Sequence, residues 1–366
     1  MDERLKLVIC LIIPGAISIF SIKMAFKLYN SLKAKKDATH KYLYPFHIDA
    51  NRGLAEQGYL WLSILGPILY FLMFGQYSWE GYTLSISSTG LTEFLKISTL
   101  PLGLLSLSIP LSILVARIHA THQTSVQIIA TQFKNNVDGY YAHRKAMFEY
   151  FGALKKIVYL GKIEGDFHAH PRLHLRFFKD EGPTKGIPKI DNDRFKQVIN
   201  TLAEVKLNIH TAISSKTTPE VSAKHYGQAC NEIYDLAGIL TLPVIYDTLK
   251  SSSKQFTIYD AINLANPKNI TFTKVGTSTE ELIGCYRYIR SYMRVLCEFS
   301  GYSVDFFDEK DTFPEIDKGD RFKSSPYNFR DISRILEISQ EKNTEIIMVQ
   351  SNARKAAVES ASINLS

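Results

Sequence analysis

The chain of 366 residues carries 43 basic and 36 acidic side chains, which give a formal net charge of +7. That charge is modest for this length, so it neither requires nor excludes contact with nucleic acid or anionic lipid. The four cysteines show no paired spacing, which excludes the common cysteine zinc motifs and predicts free thiols in a reducing compartment. The long uncharged segments lie almost entirely before Arg117, so the sequence predicts a membrane part followed by a larger globular part.

The first apolar segment, residues 7–22, is shorter than a full membrane span and is followed by Lys23 and Lys27. It reaches span length if these lysines extend to the polar boundary of the bilayer. A cleaved signal peptide is the alternative, although no small-residue cleavage site precedes the lysines. We therefore expect residues 1–57 to form an anchor segment followed by a basic cytoplasmic loop.

Two longer uncharged segments, residues 58–79 and 97–116, predict a transmembrane helical hairpin over residues 58–116. The loop before this hairpin carries seven lysines and arginines, whereas the loop inside it has only Lys96 at its edge. Because basic loops are retained on the cytoplasmic side, this difference predicts a multi-pass protein with a cytoplasmic C-terminal domain. Membrane lipid is then an expected partner.

Proline and serine residues mark the third apolar segment and are the candidate packing or pore residues: Pro101, Ser106, Ser108, Pro110 and Ser112. Proline removes a backbone hydrogen bond and kinks a helix, while small hydroxyl residues let helices approach closely. Two interpretations stay open, a tolerated kink or packing between several copies that forms a pore or leak. The second predicts a homo-oligomer. The spans carry no aspartate, glutamate, arginine or histidine in their middles, which argues against an ion-coupled transporter.

Arg117, His119 and His122 follow the third segment and predict a polar collar where the chain leaves the membrane. Histidine at this place could alternatively sense pH. Apolar residues then recur at intervals of three and four, which predicts a helical stalk over residues 117–160 with a break near Asn135 and Gly139. The stalk either passes a movement of the soluble domain to the bilayer or serves only as packing.

Residues 161–366 predict a cytoplasmic sensor or partner-binding domain, so that the whole chain is mainly α with a minor β element. Thr218 before Pro219 and the pair Ser278 with Glu281 are helix-start signals. Predicted helices cover residues 194–214, 219–249 with a bend or break at Pro243, 279–301 and 328–338, and a polar tail starts at residue 343. Short strands or loops are expected at residues 161–188 and 257–274.

His168, His170 and His174 are the one histidine cluster with the spacing of a metal site, and a metal-dependent enzyme is one hypothesis for it. Structural or surface histidines are the alternative, because Pro171 interrupts regular structure within the motif. The catalytic sequence motifs of hydrolases, nucleotide-binding enzymes and zinc proteases are missing, and we expect a non-enzymatic protein without a cofactor.

Arg287, Arg290 and Arg294 share one face of the predicted helix that starts at Ser278, with tyrosines beside them. Guanidinium groups next to aromatic rings suit contact with phosphate and bases, so nucleic acid or a protein partner could bind there. A solvated helix face is the alternative interpretation.

Two stretches carry a family resemblance, RIHATHQT at residues 117–124 and NNVDGYYAHRKAMFEYF at residues 135–151. With the arrangement of spans, they resemble the transmembrane effectors of bacterial retron anti-phage systems. The resemblance implies an inner-membrane toxin that the retron reverse transcriptase and its RNA–DNA product hold in check. Released during phage infection, such an effector damages the inner membrane and causes abortive infection. A membrane-tethered scaffold or nucleic-acid-binding module is the alternative function.

Overall fold

The computed structural model describes residues 3–36, 42–179, 181–260, 268–308, 312–323 and 331–338, together with positions 341 and 348. Helices dominate this part of the chain, which confirms the prediction of a mainly α protein. The chain divides into two compact units, Met1–Phe133 and Lys134–Ser366. We call them the N-terminal unit and the C-terminal unit.

Within the described residues, three helical segments are long and apolar enough to cross a membrane, as predicted: Arg4–Lys35, Gly58–Ser78 and Thr99–Gly152. The first lies within α1 (Glu3–Lys36) and the second is α2 (Gly58–Ser78). Helix α2 has 21 residues, so it is about 32 Å long and matches a hydrocarbon layer of about 30 Å. The third segment is divided into α4 (Thr99–Ser106) and α5 (Ser108–Gly152), and a short helix α3 (Ser88–Ile97) precedes it.

Helices α1 and α2 pack together within the N-terminal unit. The Tyr70 hydroxyl on α2 donates a hydrogen bond of 2.7 Å to the Leu11 carbonyl on α1. Such a bond is well placed in a bilayer, where backbone groups near Pro14 have no water to bind. One end of the pair is closed by a small apolar cluster of Ile22, Phe26, Leu43, Phe46, Leu62 and Leu65.

Helix α5 has 45 residues and runs without interruption through Asn135 and Gly139, so the predicted break at these residues is wrong. A helical glycine costs only about 1 kcal/mol relative to alanine, which neighbouring packing easily offsets. Beyond this point Met147 and Phe151 are fully buried in the main hydrophobic core. The second half of the predicted stalk therefore belongs to the C-terminal unit and is not a separate element.

The C-terminal unit is built on three long helices, α7 (Asn192–Ile213), α8 (Pro219–Leu240) and α10 (Thr279–Ser300). The predicted start signals are confirmed, because the Thr218 hydroxyl accepts a hydrogen bond from the Val221 N–H, and Ser278 with Glu281 forms a capping box. Helix α8 ends before Pro243, and Thr241 takes a left-handed conformation there. Shorter helices are α6 (Pro171–Phe177), α9 (Lys250–Ser252), α11 (Asp305–Asp308) and α12 (Pro314–Asp317), with a π-helical turn at Val244–Leu249.

The predicted minor β element consists of antiparallel strand pairs. They are β1 (Ile157–Tyr159) with β2 (Ile163–Gly165), β3 (Phe178–Lys179) with β4 (Lys189–Ile190), and β5 (Gln255–Asp260) with β6 (Lys268–Thr273). Helix α6 occupies a segment that the sequence predicted as strand or loop. Residues 332–338 are helical, within the predicted helix 328–338, whereas residues 328–330 and most of the predicted tail lie outside the described residues.

Candidate functional site along the third membrane span

Each break before and within the third span lies four residues ahead of a proline. Helix α3 ends at Ile97, four residues before Pro101, and α4 ends at Ser106, four residues before Pro110. A proline has no N–H for the carbonyl four residues earlier, and its ring clashes with that carbonyl. The two prolines therefore divide this part of the chain into short helical pieces followed by one long helix.

The serines of this span make their polar contacts within one copy of the chain. Ser112 on α5 lies 2.9 Å from the Ser63 hydroxyl on α2, which joins the second and third spans. Ser106 donates a hydrogen bond of 2.7 Å to the Gly103 carbonyl in its own helix. Ser108 is half-buried at the start of α5. Contact between copies through these serines stays a prediction.

The predicted collar residues differ sharply in their surroundings. Arg117 and His122 are exposed, whereas the His119 side chain is only 4% exposed. Neither ring nitrogen of His119 has a hydrogen-bond partner among the described residues. One turn further on, the Gln123 amide donates a hydrogen bond of 3.2 Å to the Ala50 carbonyl, so this part of α5 holds the loop between the first two spans. A role of the collar in lipid contact or pH sensing stays a prediction.

Beyond the collar, α5 carries no charged side chain for 16 residues between Arg117 and Lys134. Most of this stretch is exposed, including Ile129 at 63% and Phe133 at 57%. His119, His122, Val126, Ile129 and Phe133 follow one another at alternating intervals of three and four residues, which is the spacing of a coiled-coil seam. We call Val126, Ile129 and Phe133 the α5 seam.

The three arginines of α10 do share one face, and this face holds the chain segment that follows the helix. Arg287 donates hydrogen bonds of 2.7 Å each to the carbonyls of Ile316 and Gly319. Arg294 pairs with Asp308 at 2.8 Å and with Glu298 at 2.9 Å. These guanidinium groups have structural partners, so the geometry gives no support to a nucleic-acid contact, which stays a prediction.

Arg290 belongs to a buried ionic cluster that the sequence did not reveal. The Asp317 carboxylate lies 3.2 Å from Arg290 and 2.5 Å from the Lys206 ammonium of α7, and it accepts a hydrogen bond of 2.9 Å from the Tyr286 hydroxyl. Both Lys206 and Asp317 are buried. We call these four side chains the Asp317 cluster, and they join α7, α10 and α12.

The three candidate metal histidines lie in different environments. His168 is exposed and contacts the Asp166 carboxylate at 2.5 Å, while His170 caps the N-terminus of α6. His174 is buried, with its Nε2 atom 3.0 Å from Nδ1 of His143, and burial lowers the pKa of His143. Among the described residues, no group of three or more histidine, cysteine or acidic side chains is arranged to hold a metal ion.

The buried cysteines of the C-terminal unit are poor nucleophiles. Burial raises the pKa of Cys230 and of Cys297 to about 12, and it also raises the pKa of Cys285. A thiol with such a pKa is protonated at neutral pH, and the thiolate is the reactive form. These side chains are therefore structural parts of the core.

No family model matches the chain, and neither a curated protein nor a solved structure matches it significantly.

Proposed function

We propose that this chain is a non-enzymatic effector that acts on the membrane, in the manner of the retron anti-phage toxins that it resembles. In this proposal it is located in the bacterial inner membrane with its C-terminal unit in the cytoplasm. When its inhibition is relieved, it damages that membrane and causes abortive infection. The retron reverse transcriptase and its RNA–DNA product are the proposed inhibitory partners.

One observation carries the proposal: helix α5 contains the second half of the apolar third span, the uncharged α5 seam and part of the C-terminal core in one uninterrupted element. At 1.5 Å per residue, its 45 residues extend for about 68 Å, more than twice the thickness of the hydrocarbon layer. A signal received by the C-terminal unit thus has a covalent and helical route to the spans.

Self-association through the α5 seam is the step that we propose for activation. A stretch without charges offers no electrostatic attraction to an acidic or basic partner, whereas its repeat of seven residues is complementary to a second copy of itself. Hydroxyl and amide side chains between the apolar positions can form hydrogen bonds across such a bundle. Several copies would then bring their proline-broken third spans together.

Expression of the full chain without its partners should collapse the membrane potential of bacteria and admit a membrane-impermeant dye. The third spans are broken at their prolines, so several of them side by side would expose backbone carbonyl groups and serine hydroxyls within the bilayer. These polar groups would admit water and ions. The measurement compares the full chain with the part from His119 onward at equal protein level. Fully polarised cells with both forms would contradict the proposal.

In that case a membrane-tethered anion-binding module becomes the better candidate. The observation that favours it is a small depression on the C-terminal unit, lined by the exposed side chains of Lys179, Lys185 and Lys189 together with Glu181. Three ammonium groups outnumber the one described carboxylate, and this excess of positive charge suits contact with a phosphate backbone.

Replacing Pro110 by alanine should reduce depolarisation at least tenfold without affecting membrane insertion. Alanine restores the N–H that the Ser106 carbonyl lacks, and proline costs about 3 kcal/mol relative to alanine inside a helix, so α4 and α5 should join. Depolarisation rate and carbonate extraction provide the two readouts. Pro67→Ala is the matched control, since α2 continues through its proline; an equal loss in both variants would contradict a special role of the α4–α5 break.

A further inference from the structure

A groove in the N-terminal unit lies between the last turns of α1 and the loop of residues 42–47. Its volume is about 950 Å³, and it is open on one side. Three lysines of α1 line it, Lys23, Lys27 and Lys35. The groove was not visible in the sequence, because the loop had no recognisable structure signal.

The groove is held in shape by several contacts that do not involve its lysines. Asn30 forms two hydrogen bonds of 2.9 Å with the backbone of Leu43, one as donor and one as acceptor. The Tyr59 hydroxyl of α2 donates to the Phe46 carbonyl at 3.2 Å. Gly58 lies so close to Pro45 that an added Cβ would be 2.2 Å from the Pro45 carbonyl oxygen. The loop is therefore fixed against both helices, and the groove is preformed.

The described charges of the groove are all positive. The described lining contains no aspartate or glutamate, and within the described part of the chain no carboxylate forms an ion pair with Lys23, Lys27 or Lys35. Lys23 lies over the Phe46 ring, 5.9 Å from its centroid. Three lysines that line a concave site attract an anion with several oxygen atoms, such as a phosphate group.

The position of the groove along α1 indicates which class of phosphate compound it binds. The uncharged run of α1 ends at Ile22, so Lys23 and Lys27 come directly after the part of the helix that is suited to hydrocarbon. The groove is also lined by two buried apolar side chains, Phe26 and Leu43. A site with cationic groups at headgroup depth and an apolar wall matches both parts of a phospholipid.

We propose that this groove binds the headgroup of an anionic phospholipid. Lys23 and Lys27 contact the phosphate oxygens, Lys35 adds to the positive potential of the groove, and the apolar wall contacts the first part of an acyl chain. The proposal requires only that α1 is in a membrane, and it is independent of toxicity. Loss of lipid binding and loss of depolarisation can therefore be measured separately.

The test uses the full chain purified in detergent and transferred to nanodiscs of phosphatidylcholine with or without phosphatidylglycerol. Bound lipid is counted by native mass spectrometry after release from the disc. We expect selective retention of phosphatidylglycerol. An attraction of about 1 kcal/mol per lysine near an anionic surface corresponds to about a fivefold loss for Lys27→Gln and about a hundredfold loss for the triple Lys23→Gln, Lys27→Gln and Lys35→Gln variant.

Lys33→Gln is the matched control, because Lys33 is on the same helix but lies over the Tyr29 ring, at 5.8 Å, and does not line the groove. Lys27→Arg should keep the preference, and a thiol-dye melting curve establishes that each variant is folded. Equal retention of the two lipids by the unaltered chain would overturn the proposal, as would an equal loss in Lys33→Gln. Competition by millimolar inorganic phosphate would show that the site takes a soluble anion instead of a lipid.

Discussion

Aspartate at both Ile129 and Phe133 should abolish depolarisation by the full chain and leave it monomeric in detergent. Both side chains belong to the exposed α5 seam. When two copies associate through this seam, aspartates at equivalent positions would lie close together, away from water, and repel each other. Buried and unpaired carboxylates cost several kcal/mol each, which exceeds what three apolar positions contribute to association. The readouts are membrane potential in cells and particle mass in detergent.

The control introduces the same two charges on the opposite face of the same helix. Thr124 and Thr131 are exposed and occupy the heptad position farthest from the seam. Thr124→Asp with Thr131→Asp should keep both depolarisation and assembly. If this pair is as harmful as the seam pair, general repulsion or misinsertion accounts for the loss, and self-association through the seam is refuted.

Removing the carboxylate of Asp317 should lower the stability of the C-terminal unit by about 3 to 5 kcal/mol. Asp317→Ala removes the carboxylate that lies between the buried cations of Lys206 and Arg290, and it takes away the acceptor of the 2.9 Å hydrogen bond from the Tyr286 hydroxyl. For a unit of this size, the midpoint of thermal unfolding should fall by at least about 6 °C.

Buried thiols make this change measurable in the full chain. In a Cys10→Ser background, a thiol-reactive dye reports the exposure of Cys230, Cys285 and Cys297, which are all buried in the C-terminal unit. Asp308→Ala is the control, since its pair with Arg294 is largely exposed and such pairs contribute less than about 1 kcal/mol. Similar melting curves for both variants would show that the Asp317 cluster contributes little.

Features encoded by neighbouring residues could be predicted from the sequence. The spans follow from uncharged length, and the starts of α8 and α10 follow from Thr218 with Pro219 and from Ser278 with Glu281. At the second start, burial alone would raise the pKa of Glu281, but hydrogen bonds from Thr277 and Ser278 outweigh it and lower this pKa. Such caps are complete within four residues, so they need no information on distant contacts.

The predictions failed where packing outweighs a local sequence signal and where contacts join residues that are far apart in the sequence. Gly139 suggested a break in α5, yet packing of the helix outweighs the small cost of a helical glycine. Helix α6 is only seven residues long, which is about two turns and too short for a clear helical repeat, although Pro171 after the capping residue His170 was a usable signal. For the candidate sites, residue type identified the prolines of the third span but could not show that the α10 arginines already have partners.

The Asp317 cluster also has a consequence for the order of events during synthesis. Lys206 and Asp317 are 111 positions apart, so at 5 to 20 residues per second the ribosome adds the aspartate about 6 to 22 s after the lysine. Until then the Asp317 carboxylate is not there to offset the cost of burying the Lys206 ammonium. The three membrane segments therefore leave the ribosome well before the Asp317 cluster can form, and any control that the C-terminal unit exerts on them through this cluster begins only after translation has almost finished.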